Sequence, residues 1–408
     1  MIREFKKIWK PYTIGMLWLL GLLWPLLGIH PDGTLSFGST FRVWFYILVV
    51  TLTCVILYLL NKSQALKPMQ AVIGRFRSAT SAFGAKVPRA FWFGLLAVVM
   101  LAYPLLTDRY AQDVAIIVLI YICLGLGLNI VVGLAGLLDL GYIAFYGVGA
   151  YTYALLNIHF GMSFWICLPI AAALACIAGC LIGYPTLKMR GDYLAIVTLG
   201  FGEIVRLILN NWMSLTNGPN GLLGIKAPGI YIPTFEGGFS LEYFYLKKLY
   251  YLYYIALALA VFTVIGVYRL NFSRIGRGWE AIREDETAAE LMGVNTFTLK
   301  LLAYAMGAIF AGLAGAFFAA RMRFVSPESF TFLESAMVLS MVVLGGMGSI
   351  PGIILAVIAL IVLPEAFRGV EMYRMLAFGA SMTLMMLFRP EGLIPAKRVG
   401  GRSEEREG

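Results

Sequence analysis

The chain has 408 residues, 60% of them hydrophobic and only 13% charged, with a mean hydropathy of +0.83. No soluble layered fold can hide that much apolar surface, so the bilayer is the solvent and the chain is a polytopic membrane protein. The net charge of +10 lies beside apolar spans, where orientation in a membrane accounts for it, and this excludes nucleic-acid binding.

Apolar runs long enough for helices exclude a β-barrel. The 44 glycines are about 11% of the chain against a typical ~7%, as expected where transmembrane helices approach closely through small residues. The five cysteines, Cys54, Cys123, Cys167, Cys176 and Cys180, all lie inside apolar runs, and their odd number offers neither a disulfide framework nor a zinc spacing. His30 and His159 stand far apart at the ends of apolar spans, so no metal site is expected.

In chain order, residues 1–11 carry Arg3, Lys6, Lys7 and Lys10 ahead of an apolar run to about 28, without a small-residue cleavage site, which reads as a retained first helix. A second span covers 43–60. The following 61–90 holds Lys62, Lys67, Arg75, Arg77, Lys86 and Arg89 and no acid, which marks it as cytoplasmic by the positive-inside rule. Spans at 91–106 and 114–132 follow. Residues 133–156 are an apolar run interrupted by Gly133, Gly136, Gly141, Gly147 and Gly149, where a continuous helix is not expected. At membrane depth such breaks face protein or a water-filled cavity, so the stretch is a candidate pathway lining; close helix packing through glycine is the competing reading.

A span over 164–184 leads to Lys188 and Arg190 on the cytoplasmic side. The span 193–212 carries Glu203 and Arg206 at i and i+3, a pair that can neutralise itself on one helix face and either meet substrate or orient the helix. Residues 213–248 form the longest exterior segment, with a turn cluster at Asn217, Gly218, Pro219, Asn220 and Gly221, able to receive an external partner. A span over 250–270 returns inward.

Residues 274–295 are then a polar island, with Arg274, Arg277, Glu280, Arg283, Glu284, Asp285, Glu286 and Glu290. Thr287 and Glu290 form an S/T-x-x-E capping box, and Gly293 is a helix stop. The island is either an amphipathic helix on the lipid surface or a surface gripped by another protein. A span over 301–320 and a short exterior loop with Arg321, Arg323 and Glu328 come next. The span starting at 336 meets a second glycine break at 345–352, and spans at 353–366 and 375–388 precede a charged, flexible tail. This gives an all-α chain of roughly ten to twelve helices with glycine-broken segments and both termini inside; a break in each half hints at an internal repeat. The organisation expected is an amino-terminal extension over 1–90, a core over 91–390 with a cytoplasmic loop at 271–298, and a tail from 391.

No G-x-x-x-x-G-K-[ST] loop occurs, so the chain cannot by itself couple ATP hydrolysis to transport, and no H-E-x-x-H or G-x-S-x-G supplies an enzyme's nucleophile or metal. A carrier coupled to an ion gradient remains open, although Asp139 and Glu203 are nearly all the buried acid it would have.

Four ordered segments carry a resemblance: GLNIVVGLAGLLDLGYIAFYGVGAY at 127–151, GYPTLKMRGDYLAIVTLGFGEIVR at 183–206, GRGWEAIREDETAAELMG at 276–293, and SPESFTFLESA with VVLGGMGSIPG in 326–352. They look like the LivM family, branched-chain amino acid permeases of bacterial ABC importers, over about 111–395. The resemblance implies import of leucine, isoleucine and valine. Urea and amide permeases of related type are the alternative cargo class. It also implies a homologous LivH-like permease, two ATPase subunits of the LivG and LivF kind that bind ATP and magnesium, an external amino-acid-binding protein, and the bacterial inner membrane. ABC permeases carry an E-A-A-x-x-x-G helix that docks on the ATPase. Ala288, Ala289 and Gly293 match it, Thr287 replaces the Glu, and the I-x-L-P that can follow is absent. Arg277, Glu280, Arg283, Glu284, Asp285, Glu286, Thr287, Ala288, Ala289 and Gly293 are therefore the docking candidates. Asn129, Gly133, Gly136, Asp139, Gly141, Tyr142, Tyr146, Thr198 and Glu203 are the pathway candidates, with backbone groups freed near 133–141 as contacts for a zwitterion.

Overall fold

The computed structural model describes residues 89–186, 192–234, 240–246, 248–366 and 392–394. The expected spans at 1–28, 43–60 and 375–388, the basic loop at 61–88, Lys188 and Arg190, and the tail beyond 394 lie outside the described residues. The chain divides into units Met1–Ala97 and Val98–Gly408, and the second holds the helix bundle.

The described residues are overwhelmingly helical, as composition requires. After α1 (Arg89–Leu106), helix α2 (Arg109–Leu128) runs directly into a π-helical turn at Asn129–Leu134. Together these make a 26-residue apolar span, about 39 Å at 1.5 Å per residue and ample for a ~30 Å hydrocarbon core. Helices α3 (Ile143–Phe160), α4 (Phe164–Thr186) and α5 (Asp192–Asn211) follow. Then come α6 (Leu249–Asn271), α7 (Arg274–Glu284), α8 (Glu286–Leu291), α9 (Thr296–Met322), α10 (Phe332–Gly345) and α11 (Ile350–Ala366). Among the described residues, six segments have the length and hydropathy to cross a membrane.

Helix α9 is the post around which the others gather, with 72% of its most apolar window buried. Its small residues explain why. A Cβ at Gly315 would lie 2.0 Å from the Tyr146 carbonyl oxygen of α3, and one at Gly312 would lie 2.5 Å from Ala175 Cβ of α4. From the other side, a Cβ at Gly149 would lie 2.2 Å from the Gly312 carbonyl oxygen. Backbones therefore touch directly, which is how helices associate in lipid when no hydrophobic force draws them together. The outward-facing Ile166, Leu174, Ile177 and Leu181 of α4 stay exposed, as side chains that meet acyl chains should.

One expectation is corrected. Gly147 and Gly149 do not interrupt a helix: α3 runs through both, and they serve close packing against Phe330 and Gly312, so the break is confined to 135–142. The short connection after α9 holds a two-residue strand and a 3₁₀ turn at Pro327–Phe330, with Arg323 and Glu328 exposed as expected of a loop, and α10 begins four residues before the expected span at 336. Glu334 Oε2 accepts from the Tyr121 hydroxyl at 2.5 Å, and Tyr121 is the thirteenth residue of the 26-residue span Arg109–Leu134. Helix α10 has 14 residues, about 21 Å, and together with the preceding 3₁₀ turn makes the 19-residue apolar segment Pro327–Gly345.

The segment between α5 and α6 adds strands that hydropathy did not predict. Strand β1 (Leu222–Leu223) pairs antiparallel with β4 (Phe324–Val325), and β2 (Gly229–Thr234) pairs with β3 (Ser240–Tyr245) as a hairpin, Gly229 opposite Tyr245. This cover is tied down at the end of the bundle away from α7 and α8. Lys226 N–H donates to Asn157 Oδ1 at 2.8 Å, Tyr153 donates to the Lys226 carbonyl at 2.8 Å, and Trp165 Nε1 donates to the Gly229 carbonyl at 2.9 Å.

Backbone contact along α9 makes a size prediction. Gly149→Ala should destabilise the detergent-solubilised chain by about 1–3 kcal/mol, read as a lower thermal midpoint. Gly200→Ala on α5, with nothing within 4 Å of its Cβ position, should leave the midpoint unchanged or raise it.

Candidate functional site

The polar island forms two helices joined at a sharp corner. Ser273 caps α7, its Oγ accepting the Gly276 N–H at 3.1 Å. Asp285 ends α7 in an extended conformation and caps α8, its Oδ1 accepting from Thr287 N at 2.9 Å and Ala288 N at 3.0 Å. The expected capping box is thus displaced by two residues: Asp285, not Thr287, is the cap, because a short carboxylate in extended backbone reaches the free N–H groups directly. Gly293, with φ +83°, stops the helix as expected.

The apolar face of α7 is spent on its own chain. Trp279 is fully buried and donates Nε1 to the Leu299 carbonyl at 2.7 Å, and Ile282 is buried beside it. A helix whose apolar face is covered by protein has little left to offer lipid. The exposed surface consists instead of Arg277, Glu284, Asp285, Thr287, Ala288 and Gly293, with Leu291 and Met292 standing 83% and 84% exposed at the tip.

Other docking candidates turn inward or stand midway. Ala289 is buried, Glu280 is half-buried, and Glu286 pairs with the buried Lys300 ammonium of α9 at 2.5 Å. Arg283 is exposed along part of its length, but its Nη1 donates to the Gly133 carbonyl at 2.5 Å. Lys300 was not among the candidates, because a lone lysine at the start of an apolar run looks like a boundary marker.

The pathway candidates mostly converge on the break at 135–142. Asp139 is 1% exposed; its Oδ1 accepts the Gly141 N–H at 2.9 Å. Thr198 ties α5 to the break, its Oγ1 accepting from Leu140 N at 3.1 Å and donating to the Ala195 carbonyl. Gly141 must be glycine, since a Cβ there would lie 2.0 Å from the Thr198 carbonyl oxygen. Tyr142 donates to the Gly307 carbonyl at 3.0 Å. Asn129, fully buried on the π turn, accepts the Gly348 N–H at 2.8 Å, so the break before α3 and the break between α10 and α11 meet at one side chain.

Tyr146 and Glu203 stand apart from this group. Tyr146 is buried between Phe318 and Phe330, and Glu203 is held by Arg206 at 2.8 Å on a half-exposed face of α5. Glu334 and Ser335 belong to the site without any sequence signal: Ser335 Oγ accepts the Ile143 N–H at 3.0 Å and so caps the start of α3 from α10. Equally unsignalled is the bridge of Arg321 to Asp113 at 2.6 Å, which closes the opposite end.

Four buried polar atoms lack a partner among the described residues: Asn129 Nδ2, Asp139 Oδ2, Tyr151 Oη and Tyr304 Oη. A buried unsatisfied group typically costs about 1–3 kcal/mol, and two of these four belong to pathway candidates at the break.

A multi-pass helical chain with discontinuous helices and a capped polar loop at one end has an architecture that suits a membrane permease. Residues 110–388 match the family described as branched-chain amino acid transport system, permease component, and the chain belongs to that family. It is similar to the high-affinity branched-chain amino acid transport system permease protein LivM of Escherichia coli K12, 46% identical over 95% of this chain and 96% of that protein. The LivM protein of Salmonella typhimurium is 43% identical over 95% and 96%. The LivH permease protein of Salmonella typhimurium is 28% identical over 47% of this chain and 62% of its own length. No solved structure matches the chain at a significant level.

The displaced cap is testable by amide hydrogen exchange across 286–291. Asp285→Ala should cost the α8 helix about 1 kcal/mol and speed exchange there, whereas Thr287→Ala should leave the pattern unchanged.

Proposed function

We propose that the chain is the permease subunit of an ATP-driven, binding-protein-dependent importer of leucine, isoleucine and valine, and that it forms half of the translocation pathway. The observation that carries this reading is the likeness to Escherichia coli LivM over nearly the full length of both chains, 46% identical. The second half of the pathway comes from a homologous permease; the partial likeness to LivH supports a partner of the same descent.

Energy has to come from elsewhere, because the sequence holds no phosphate-wrapping G-x-x-x-x-G-K-[ST] loop. Two ATPase subunits, which bind ATP and magnesium, supply it and dock on α7 and α8. The supporting geometry is the capped tip of Thr287, Ala288, Leu291 and Met292 flanked by Glu284 and Asp285. An apolar knob ringed by acids suits a basic-rimmed cleft on a soluble partner.

This reading orients the chain in a bacterial inner membrane with α7, α8 and both termini in the cytoplasm. The basic segments 61–90 and 188–190 are consistent with it, and α4 reaches the α7–α8 end of the bundle, where Tyr184 meets Phe297 edge to face at 5.7 Å. The strand-bearing cover over 222–245 then faces outward and receives the amino-acid-binding protein. Tethering of the cover to α3 and α4 through Lys226 and Gly229 gives that partner a route to move helices lining the pathway.

For the zwitterionic cargo, the pathway lies by the break. Asn129, Asp139, Tyr142 and Thr198 lie closest to it, Gly136 exposes its backbone while Gly133 and Gly141 are buried against Asn129 and the Thr198 backbone, and Tyr146 and Glu203 border it more distantly. Urea or amide import and ion-coupled transport are the readings this displaces. The ion-coupled reading has only Asp139 as a fully buried acid among the described residues.

Reconstitution decides between these readings. Proteoliposomes holding this chain with its co-purified partners should take up labelled leucine only with ATP inside and binding protein outside. Uptake by the chain alone under a proton or sodium gradient would overturn the proposal. Leu291→Asp with Met292→Asp should release the ATPase subunits during detergent purification and abolish uptake, with the chain still inserted in the membrane.

A further inference from the structure

We propose that Asn129 is a positioning residue that, with Arg283, links the docking helix to both glycine breaks, so that displacement of α7 moves the two breaks together. This rests on the reading of α7 and α8 as the ATPase-docking loop.

The linkage can be followed atom by atom. Arg283 lies in the last turn of α7, and its Nη1 donates to the Gly133 carbonyl at 2.5 Å. That carbonyl belongs to the end of α2 and its π turn, where backbone acceptors run out of helical partners; those of Ile130 and Val131 are taken by Ala135 and Leu137. The stem of Arg283 lies on Gly136. This glycine has φ +72°, and a Cβ on it would come within 2.8 Å of Arg283 Cγ, so the contact requires glycine on both grounds. The arginine therefore grips the break through a carbonyl and through a flat backbone surface at once.

From Gly133 the chain of contacts continues inward. A Cβ at Gly133 would lie 1.9 Å from Asn129 Oδ1 and 2.6 Å from the Gly348 nitrogen. Asn129 Oδ1 in turn accepts the Gly348 N–H at 2.8 Å. Gly346 and Gly348, with φ +103° and +89°, form the turn that joins α10 to α11. A shift of the Gly133 carbonyl thus cannot occur without moving Asn129, and Asn129 cannot move without pulling on the second break. Helix α10 then carries the motion to Glu334, which accepts from Tyr121 of α2.

Among the described residues Asn129 Nδ2 has no hydrogen-bond partner, so this fully buried amide serves there only as an acceptor. Buried donors are almost always paired, so a second arrangement in which this NH₂ bonds a backbone carbonyl of one break is the state toward which the linkage is poised.

The test uses the assembled transporter in nanodiscs, with leucine uptake and ATP hydrolysis measured on the same preparation. Asn129→Leu and Arg283→Met should each lower uptake per ATP by about tenfold while the ATPase subunits still co-purify. The double variant should lose no more than the worse single one, because both cut the same linkage. Arg283→Lys, which can still donate to the Gly133 carbonyl, should hold the ratio within about twofold. A second arm uses the full chain alone: hydrogen exchange at 346–349 should speed up about tenfold in both Arg283→Met and Asn129→Leu. An unchanged uptake ratio, losses that multiply in the double variant, or unchanged exchange at 346–349 in Arg283→Met would overturn the proposal. The exchange arm needs no ATPase, so a failed docking assignment and a failed linkage give different results.

Discussion

Within a bilayer each backbone N–H and C=O must find a partner inside the protein, and this constraint decides where the chain can interrupt its helices. Both breaks seen here meet it with side chains, all but that of Asp139 from outside the break they serve. Thr198 takes the Leu140 N–H, Asp139 the Gly141 N–H, Ser335 the Ile143 N–H, Asn129 the Gly348 N–H, and Arg283 the Gly133 carbonyl. Leu393 and Ile394 donate to the carbonyls of Leu344 and Gly345 where α10 ends. The breaks are therefore places where distant helices are bound to one another, and a change at one partner is felt by the rest.

The same constraint gives the small residues of α9 their purpose. Glycine and alanine there let α3 and α4 approach until backbones touch, which fixes α9 as a rigid post, while α5, 17% buried over its window, stays largely free of the chain's own packing. A post beside two helix breaks suits the alternating access of a permease, in which part of the bundle rocks against a fixed remainder. Glu286 to Lys300 and Trp279 to the Leu299 carbonyl bind α8 and α7 to the foot of this post.

Much of this was legible in the sequence, for reasons that differ element by element. The spans were readable because lipid imposes a length and a composition on each, and expected limits such as 250–270 fall within two residues of α6. The Glu203–Arg206 pair was readable because i, i+3 spacing is a local property. The breaks were located by their glycines, but which glycines break a helix was not. Gly141 and Gly149 look alike in sequence and differ only in what lies opposite, Thr198 backbone beside a loop in one case and Gly312 backbone beside a helix in the other. Contacts such as Asn129 to Gly348 and Tyr121 to Glu334 join residues more than 200 positions apart, beyond the reach of any periodic pattern. The cap at Asp285 was missed because Thr287 satisfied a local rule that its neighbour satisfied better.

The central proposal is that α7, α8 and the two breaks move as one body. Pulsed electron paramagnetic resonance on the assembled transporter tests it most directly, with spin labels at Leu291, Met347 and Leu223 in a chain whose five cysteines are replaced. Through the ATPase cycle the Leu291–Met347 distance should hold while the Met347–Leu223 distance changes. A Leu291–Met347 distance that shifts with nucleotide while Met347–Leu223 stays fixed would contradict the account.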